Sequence, residues 1–170
     1  MRNKHIQDIT QAGLLSALGI LIPIMMPLKL ILPISTYTLA SHVPIFIAMF
    51  INTRVAIMVA LGTTLGFFIS MPLIVAARAF SHLVFVVIGS RFLNKHTLES
   101  KLSMVCFNLC IAFIHGFSEF LIVLLLTAKS VTPVMLSQYF IFLGLGTMVH
   151  SLVDFSIAYP IVKALNFDKR

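Results

Sequence analysis

Residues 102–127, LSMVCFNLCIAFIHGFSEFLIVLLLT, decide the fold class. Glu119 is the only Asp, Glu, Lys or Arg in the stretch. At about 1.5 Å per residue, such a helix crosses a hydrocarbon core of roughly 30 Å. A helix of that length in a water-soluble domain needs a charged outer face, and this one has none.

The rest of the chain reads the same way. Of its 170 residues, 59% are hydrophobic and 10% charged, with a mean hydropathy of +1.07, whereas soluble domains carry roughly 25% charge. Cutting at Pro, charge and polar clusters leaves six apolar stretches: 9–26, 39–51, 54–70, 73–93, 102–127 and 136–164. The sequence therefore predicts a single all-α, polytopic membrane domain over residues 1–170, with about six transmembrane helices. The second stretch is short and holds Pro44, so it either crosses in part, tilts or rests on other helices.

The formal charge of +7 does not point to nucleic acid, because the positive residues sit at segment ends rather than in a basic patch interleaved with aromatics. With the N-terminus in the cytoplasm, Arg2, Lys4, Arg54, Arg91, Lys95, Lys101, Lys163, Lys169 and Arg170 fall inside, and Lys29 and Lys129 outside. This bias favours an even number of spans and cytoplasmic N- and C-termini. The opening segment MRNKHIQDITQAGLLSALGILIP begins like a secretory signal, but further apolar segments follow it, so it reads as a retained first helix. Cys106 and Cys110 lie four apart on one helix face, as small apolar residues rather than a disulfide framework.

Ionisable groups inside a membrane are costly and mark candidate sites. Three pairs occur at helical spacing: Arg78 with His82, His115 with Glu119, and His150 with Asp154. Turning these faces toward one another makes a polar interior among the fourth, fifth and sixth helices. The Arg78 fork suits a carboxylate, or else pairs internally with Glu119. The histidines either bond a heteroaromatic ring or link helices, and Asp154 reads as structural. The spacings His115-x-x-x-Glu119 and His150-x-x-x-Asp154 also raise a metal site or an intramembrane metal-dependent hydrolase, but HExxH, GxSxG and paired catalytic aspartates are missing, so no metal, cofactor or enzymatic activity is assigned. There is no GxxxxGK[ST] loop with which to hydrolyse ATP.

The loop PIMMPLKLILPISTYTLASHVP, residues 23–44, is apolar and carries Pro23, Pro27, Pro33 and Pro44; it either folds over the bundle as a lid or packs irregularly at the interface. On the first helix, Ala12 with Ser16 and Gly13 with Ala17 give small residues at four-residue spacing, which lets another helix approach.

The whole chain resembles the substrate-binding subunits of energy-coupling-factor vitamin transporters. The stretch Ala40–Phe50 (ASHVPIFIAMF), Gly62–Gly66 (GTTLG), Arg78–His82 (RAFSH) and His150–Asp154 (HSLVD) looks most like the niacin-specific subunit. The resemblance implies a multi-pass protein of a bacterial plasma membrane that captures a vitamin under a lid made by the first outer loop. It would topple to release the vitamin inside, docked through helix one on a transmembrane coupling subunit driven by two cytoplasmic ATPases. The family's Ala-x-x-x-Ala signature is replaced here by Ala12-x-x-x-Ser16 and Gly13-x-x-x-Ala17. Candidate substrate contacts are Arg78, His82, His115, Glu119 and His150, with Tyr37 and His42. Nicotinate needs a cation for its carboxylate, a donor near its ring nitrogen and a flat apolar slot. Other vitamins of the group (pyridoxine, a hydroxymethylpyrimidine or pantothenate) remain alternatives, as does a stand-alone proton-coupled carrier using Glu119, Asp154 and the histidines as a relay.

Overall fold

A computed structural model describes residues 3–168 except residue 33. Arg2, Pro33, Lys169 and Arg170, which figure in the charge and loop readings, lie outside the described residues.

Among the described residues, seven α-helices, a π-helical segment and one β-hairpin build the bundle: α1 (Lys4–Met25), β1 (Lys29–Ile31), β2 (Thr36–Thr38), α2 (Val43–Ile51), α3 (Thr53–Ser70), α4 (Leu73–Leu93), α5 (Lys101–Thr127), α6 (Pro133–Tyr139), the π segment (Phe140–Gly146) and α7 (Thr147–Ala164). Among the described residues, α1, α3, α4, α5 and the run Pro133–Ala164 are long and apolar enough to cross a membrane. The protein is an all-α, multi-pass membrane protein.

The ends of the helices follow local chemistry. Asn3 accepts from the backbone N–H of His5 to open α1, and Asn52 accepts from that of Val55 to open α3. Ser100 and Ser103 form a reciprocal cap on α5, and Thr132 caps α6 with Pro133 in its first turn. Extended backbone at Met71 and Pro72 turns the chain between α3 and α4, where proline cannot continue the preceding helix.

α2 does not span alone: the chain re-crosses between α1 and the parallel α3 through the hairpin, the turn after it and α2 together. At about 1.5 Å per residue, the nine residues of α2 cover less than half the hydrocarbon core. All nine are buried, so α2 rests on α1, α3, α4 and α7 rather than on lipid.

Two features depart from a plain helical reading. Instead of an irregular loop, the segment between α1 and α2 holds an antiparallel hairpin in the register Lys29↔Thr38, Leu30↔Tyr37 and Ile31↔Thr36. Pairing the two strands satisfies backbone groups that an apolar loop otherwise leaves bare. The last stretch, expected as one helix, switches to π-helical winding over Phe140–Gly146. There Gly116 of α5 packs against the carbonyl of Gly144, an approach that any Cβ at Gly116 would block.

α1 packs on α3 through small residues. Ser16 faces Gly62, Ile20 faces Gly66, and Gly19 faces Thr63. Only Ala12 and Gly19 of α1 are buried, while Ile6, Ile9, Leu14, Leu18, Leu21 and Met25 are exposed apolar residues. Exposed Leu65, Phe68, Leu73, Phe113, Phe117, Leu125 and Val149 carry the same apolar surface around the bundle, as a lipid-facing shell requires. Lys4, Arg54, Arg91, Lys95, Lys101 and Lys163 gather at the end where α1 begins and α7 finishes; Lys29 and Lys129 lie at the other.

Candidate functional site

A cavity of about 580 Å³ opens beneath the hairpin, at the end of the bundle away from the start of α1. Its volume lies in the range of roughly 300–1,000 Å³ usual for small-molecule sites. Tyr37, His42, Arg78, His82, Glu119 and His150 all line it, together with apolar side chains such as Ile74, Val75 and Leu143. His115 stands behind that wall with none of its surface exposed.

Two buried carboxylates organise the polar wall. Glu119, on α5, accepts from Arg78 Nε at 3.0 Å and Nη2 at 2.8 Å, both at Oε2, and from the Thr147 hydroxyl at 2.9 Å. Its Oε1 meets His82 Nε2 at 3.1 Å and lies 3.6 Å from His115 Nε2. The internal Arg78–Glu119 pair is thus made. Arg78 also donates to the Ser35 hydroxyl, in the hairpin turn, at 3.1 Å. Burying two opposite charges costs several kcal/mol per ion, so the additional hydrogen bonds are part of what makes the pair tenable.

Asp154, on α7, fastens the chain entering α2. Its carboxylate accepts from the backbone N–H groups of Ala40 and His42, each at 2.8 Å, and meets His42 Nδ1 at 3.1 Å and His150 Nε2 at 3.3 Å. Ala40 has φ of 66°, a left-handed conformation costing an alanine on the order of 1 kcal/mol, and the Asp154 bonds hold it there. The hairpin is tied down separately: the Tyr37 hydroxyl donates to the carbonyl of Phe142 in the π segment.

Four imidazoles fill the space between the carboxylates. His42 sits at the centre, with ring centroids 4.8 Å from His82, 4.6 Å from His115 and 5.0 Å from His150. The helical pairs of the sequence therefore meet in one cluster, joined by His42 and Tyr37 from outside the long helices. Sequence reasoning did not place Ser35, Ser41 or Thr147 in the site. Thr147 had a signal, since it shares a helix face with His150 and Asp154; Ser35 and Ser41 lie in turns whose path no periodicity reveals.

The four small residues of α1 divide between two faces. Ala12 is buried and Ser16 contacts Gly62 of α3, whereas Gly13 and Ala17 are exposed, with open space around Gly13.

The chain is 36% identical over 171 aligned residues to the niacin transporter NiaX of Lactococcus lactis subsp. cremoris (strain MG1363), an alignment covering 97% of this chain and 77% of that protein. No protein-family model matches the chain, and no solved structure matches it.

Proposed function

The chain belongs to the family of the niacin transporter NiaX, and from that premise we propose that it is the vitamin-binding subunit of an energy-coupling-factor importer, with nicotinic acid as its ligand. The observation that carries the ligand assignment is a permanently charged guanidinium, Arg78, on the wall of a largely apolar cavity of small-molecule size. Nε and Nη2 of Arg78 face Glu119, which leaves the Nη1 edge for the carboxylate of nicotinate. Ile74, Val75 and Leu143 supply an apolar slot for the ring, and His150 or His42 lies within the lining to bond the ring nitrogen. Tyr37 and Ser35 hold the hairpin over the ligand as its lid.

The remaining parts follow from the same premise. The end rich in Lys and Arg is the cytoplasmic one, which puts both termini inside and the cavity at the outer face of a bacterial plasma membrane. Lacking a phosphate-binding loop, the chain depends on a transmembrane coupling subunit and two ATPases. Gly13 and Ala17 form the docking register on α1, because Ala12 and Ser16 are already packed inward. We assign the polar residues no catalytic role.

Calorimetric titration of the detergent-purified chain tests the ligand. Nicotinic acid binds tightly, and nicotinamide, pantothenate, pyridoxine and a hydroxymethylpyrimidine each bind at least about tenfold more weakly, a difference of about 1.4 kcal/mol. Tight binding of a different vitamin would overturn the ligand and keep the family. Uptake into vesicles by the chain alone, abolished by collapsing a proton gradient, would favour the proton-coupled carrier, and product formation would favour a hydrolase.

A further inference from the structure

His115 is wholly buried, yet among the described residues neither of its ring nitrogens has a hydrogen-bond partner, and Nδ1 of buried His82 is likewise unpaired. Buried polar groups are ordinarily satisfied, and two such rings side by side call for a shared partner. His42, His82 and His115 have ring centroids 4.6 to 4.8 Å apart. One donor atom from each, with a Glu119 carboxylate oxygen, fall within 4.8 Å of one another.

We propose that His42, His82 and His115 form a binding site for a divalent first-row transition-metal ion, with Zn²⁺ or Ni²⁺ as the chemical type. Imidazole nitrogens select such ions over Mg²⁺ and Ca²⁺, which demand oxygen ligands. Three histidines with one open position are a recurrent zinc arrangement. Metal-ligating histidines usually give their other nitrogen to a carboxylate, and here Asp154 holds His42 Nδ1 and Glu119 holds His82 Nε2, each at 3.1 Å. His82 Nδ1 and both nitrogens of His115 are left without a partner among the described residues.

Charge points the same way. With the imidazoles uncharged, the cluster contains one guanidinium, Arg78, against two carboxylates, Glu119 and Asp154, and a bound dication offsets the excess. Access exists, because His42 and His82 line the cavity. The alternative grouping of His42 with His150 and Asp154 is less available, since His150 Nε2 already meets the Ser41 hydroxyl at 3.0 Å. The sequence raised a metal only at the spacings His115-x-x-x-Glu119 and His150-x-x-x-Asp154 and not at this trio, because the three ligands come from the turn before α2, from α4 and from α5, at no diagnostic spacing. Two of the three ligands line the cavity assigned above to nicotinate, but the metal site does not depend on that assignment.

The full chain, purified without a polyhistidine tag and stripped with EDTA, is titrated calorimetrically with ZnCl₂, NiCl₂ and MgCl₂, and X-ray absorption is recorded on the zinc-loaded protein. One equivalent of Zn²⁺ or Ni²⁺ binds, Mg²⁺ does not, and the absorption spectrum shows imidazole scattering from three histidines. His115→Gln and His82→Gln each weaken Zn²⁺ binding by at least about tenfold while circular dichroism and gel filtration stay as in the parent. A folded parent that binds neither ion, an unchanged Zn²⁺ affinity in both folded variants, or a spectrum with fewer than two imidazoles overturns the proposal. Should both variants unfold, the parent titration and spectrum decide it. Nicotinate titrated with and without EDTA separates the two claims: binding of nicotinate by a protein that takes no metal sinks only the metal site, and binding of metal without nicotinate sinks only the vitamin.

Discussion

Beneath the hairpin, Glu119 and Asp154 gather Arg78, four imidazoles and three hydroxyls into a polar wall, while directly below, on the same helices and α2, Phe46, Phe85, Phe107, Phe155 and Tyr159 fill the interior with rings. The two regions touch where Phe85 meets His115 at a centroid distance of 4.5 Å. Phe155 stands at the centre of the aromatic region, 5.4 Å from Phe46, 5.7 Å from Phe107 and 5.8 Å from Tyr159. One region depends on its paired charges, and the other on its filled volume. A rigid aromatic base carries a polar cavity whose own bonds hold charge in place rather than adding to the core.

The largest effect separates the regions by what is lost. Glu119→Leu leaves the Arg78 guanidinium without its countercharge and lowers stability by about 3–5 kcal/mol, and nicotinate binding goes with it. Thermal unfolding in detergent with a parallel ligand titration reads both; retention of parent stability would break the division between the regions. Phe155→Ala lowers stability by a comparable figure, about 3–5 kcal/mol, through the cavity it leaves. Its folded fraction keeps the parent's nicotinate affinity, however, and a large loss of affinity there would mean that the aromatic base shapes the site directly.

A smaller effect sharpens the boundary between hairpin and bundle. Tyr37→Phe removes the hydroxyl that bonds Phe142 and costs about 0.5–1.5 kcal/mol. Stopped-flow displacement shows faster nicotinate release in this variant with little change in unfolding temperature. Unchanged release would mean that the hairpin closes the cavity without the Tyr37 bond.

The sequence carried the all-α, multi-pass architecture plainly, because long apolar runs such as residues 102–127 have no soluble alternative. The helical period also placed Arg78 with His82, His115 with Glu119, and His150 with Asp154 on shared faces, and those faces meet. What did not show was everything fixed by contact between distant segments. FIFLGLG reads as ordinary apolar helix, and its π-helical winding accompanies the close packing of Gly116 on Gly144. The strands Lys29–Ile31 and Thr36–Thr38 are three residues each, too short for an alternation to register, and prolines around them read as loop. The inward turn of Ser16 depended on Gly62 of α3, which receives it.

The most direct test of the site compares nicotinate with nicotinamide, which differ in the carboxylate, in the parent and in Arg78→Lys. Lysine keeps the charge opposite Glu119 but loses the planar fork. If the Nη1 edge of Arg78 holds the carboxylate, the parent prefers nicotinate, and in the folded Arg78→Lys variant that preference falls by about tenfold or more, within the roughly 1.5–3 kcal/mol carried by a hydrogen bond to a charged group. An undiminished preference for nicotinate in the folded variant would contradict the account and move the carboxylate elsewhere in the cavity.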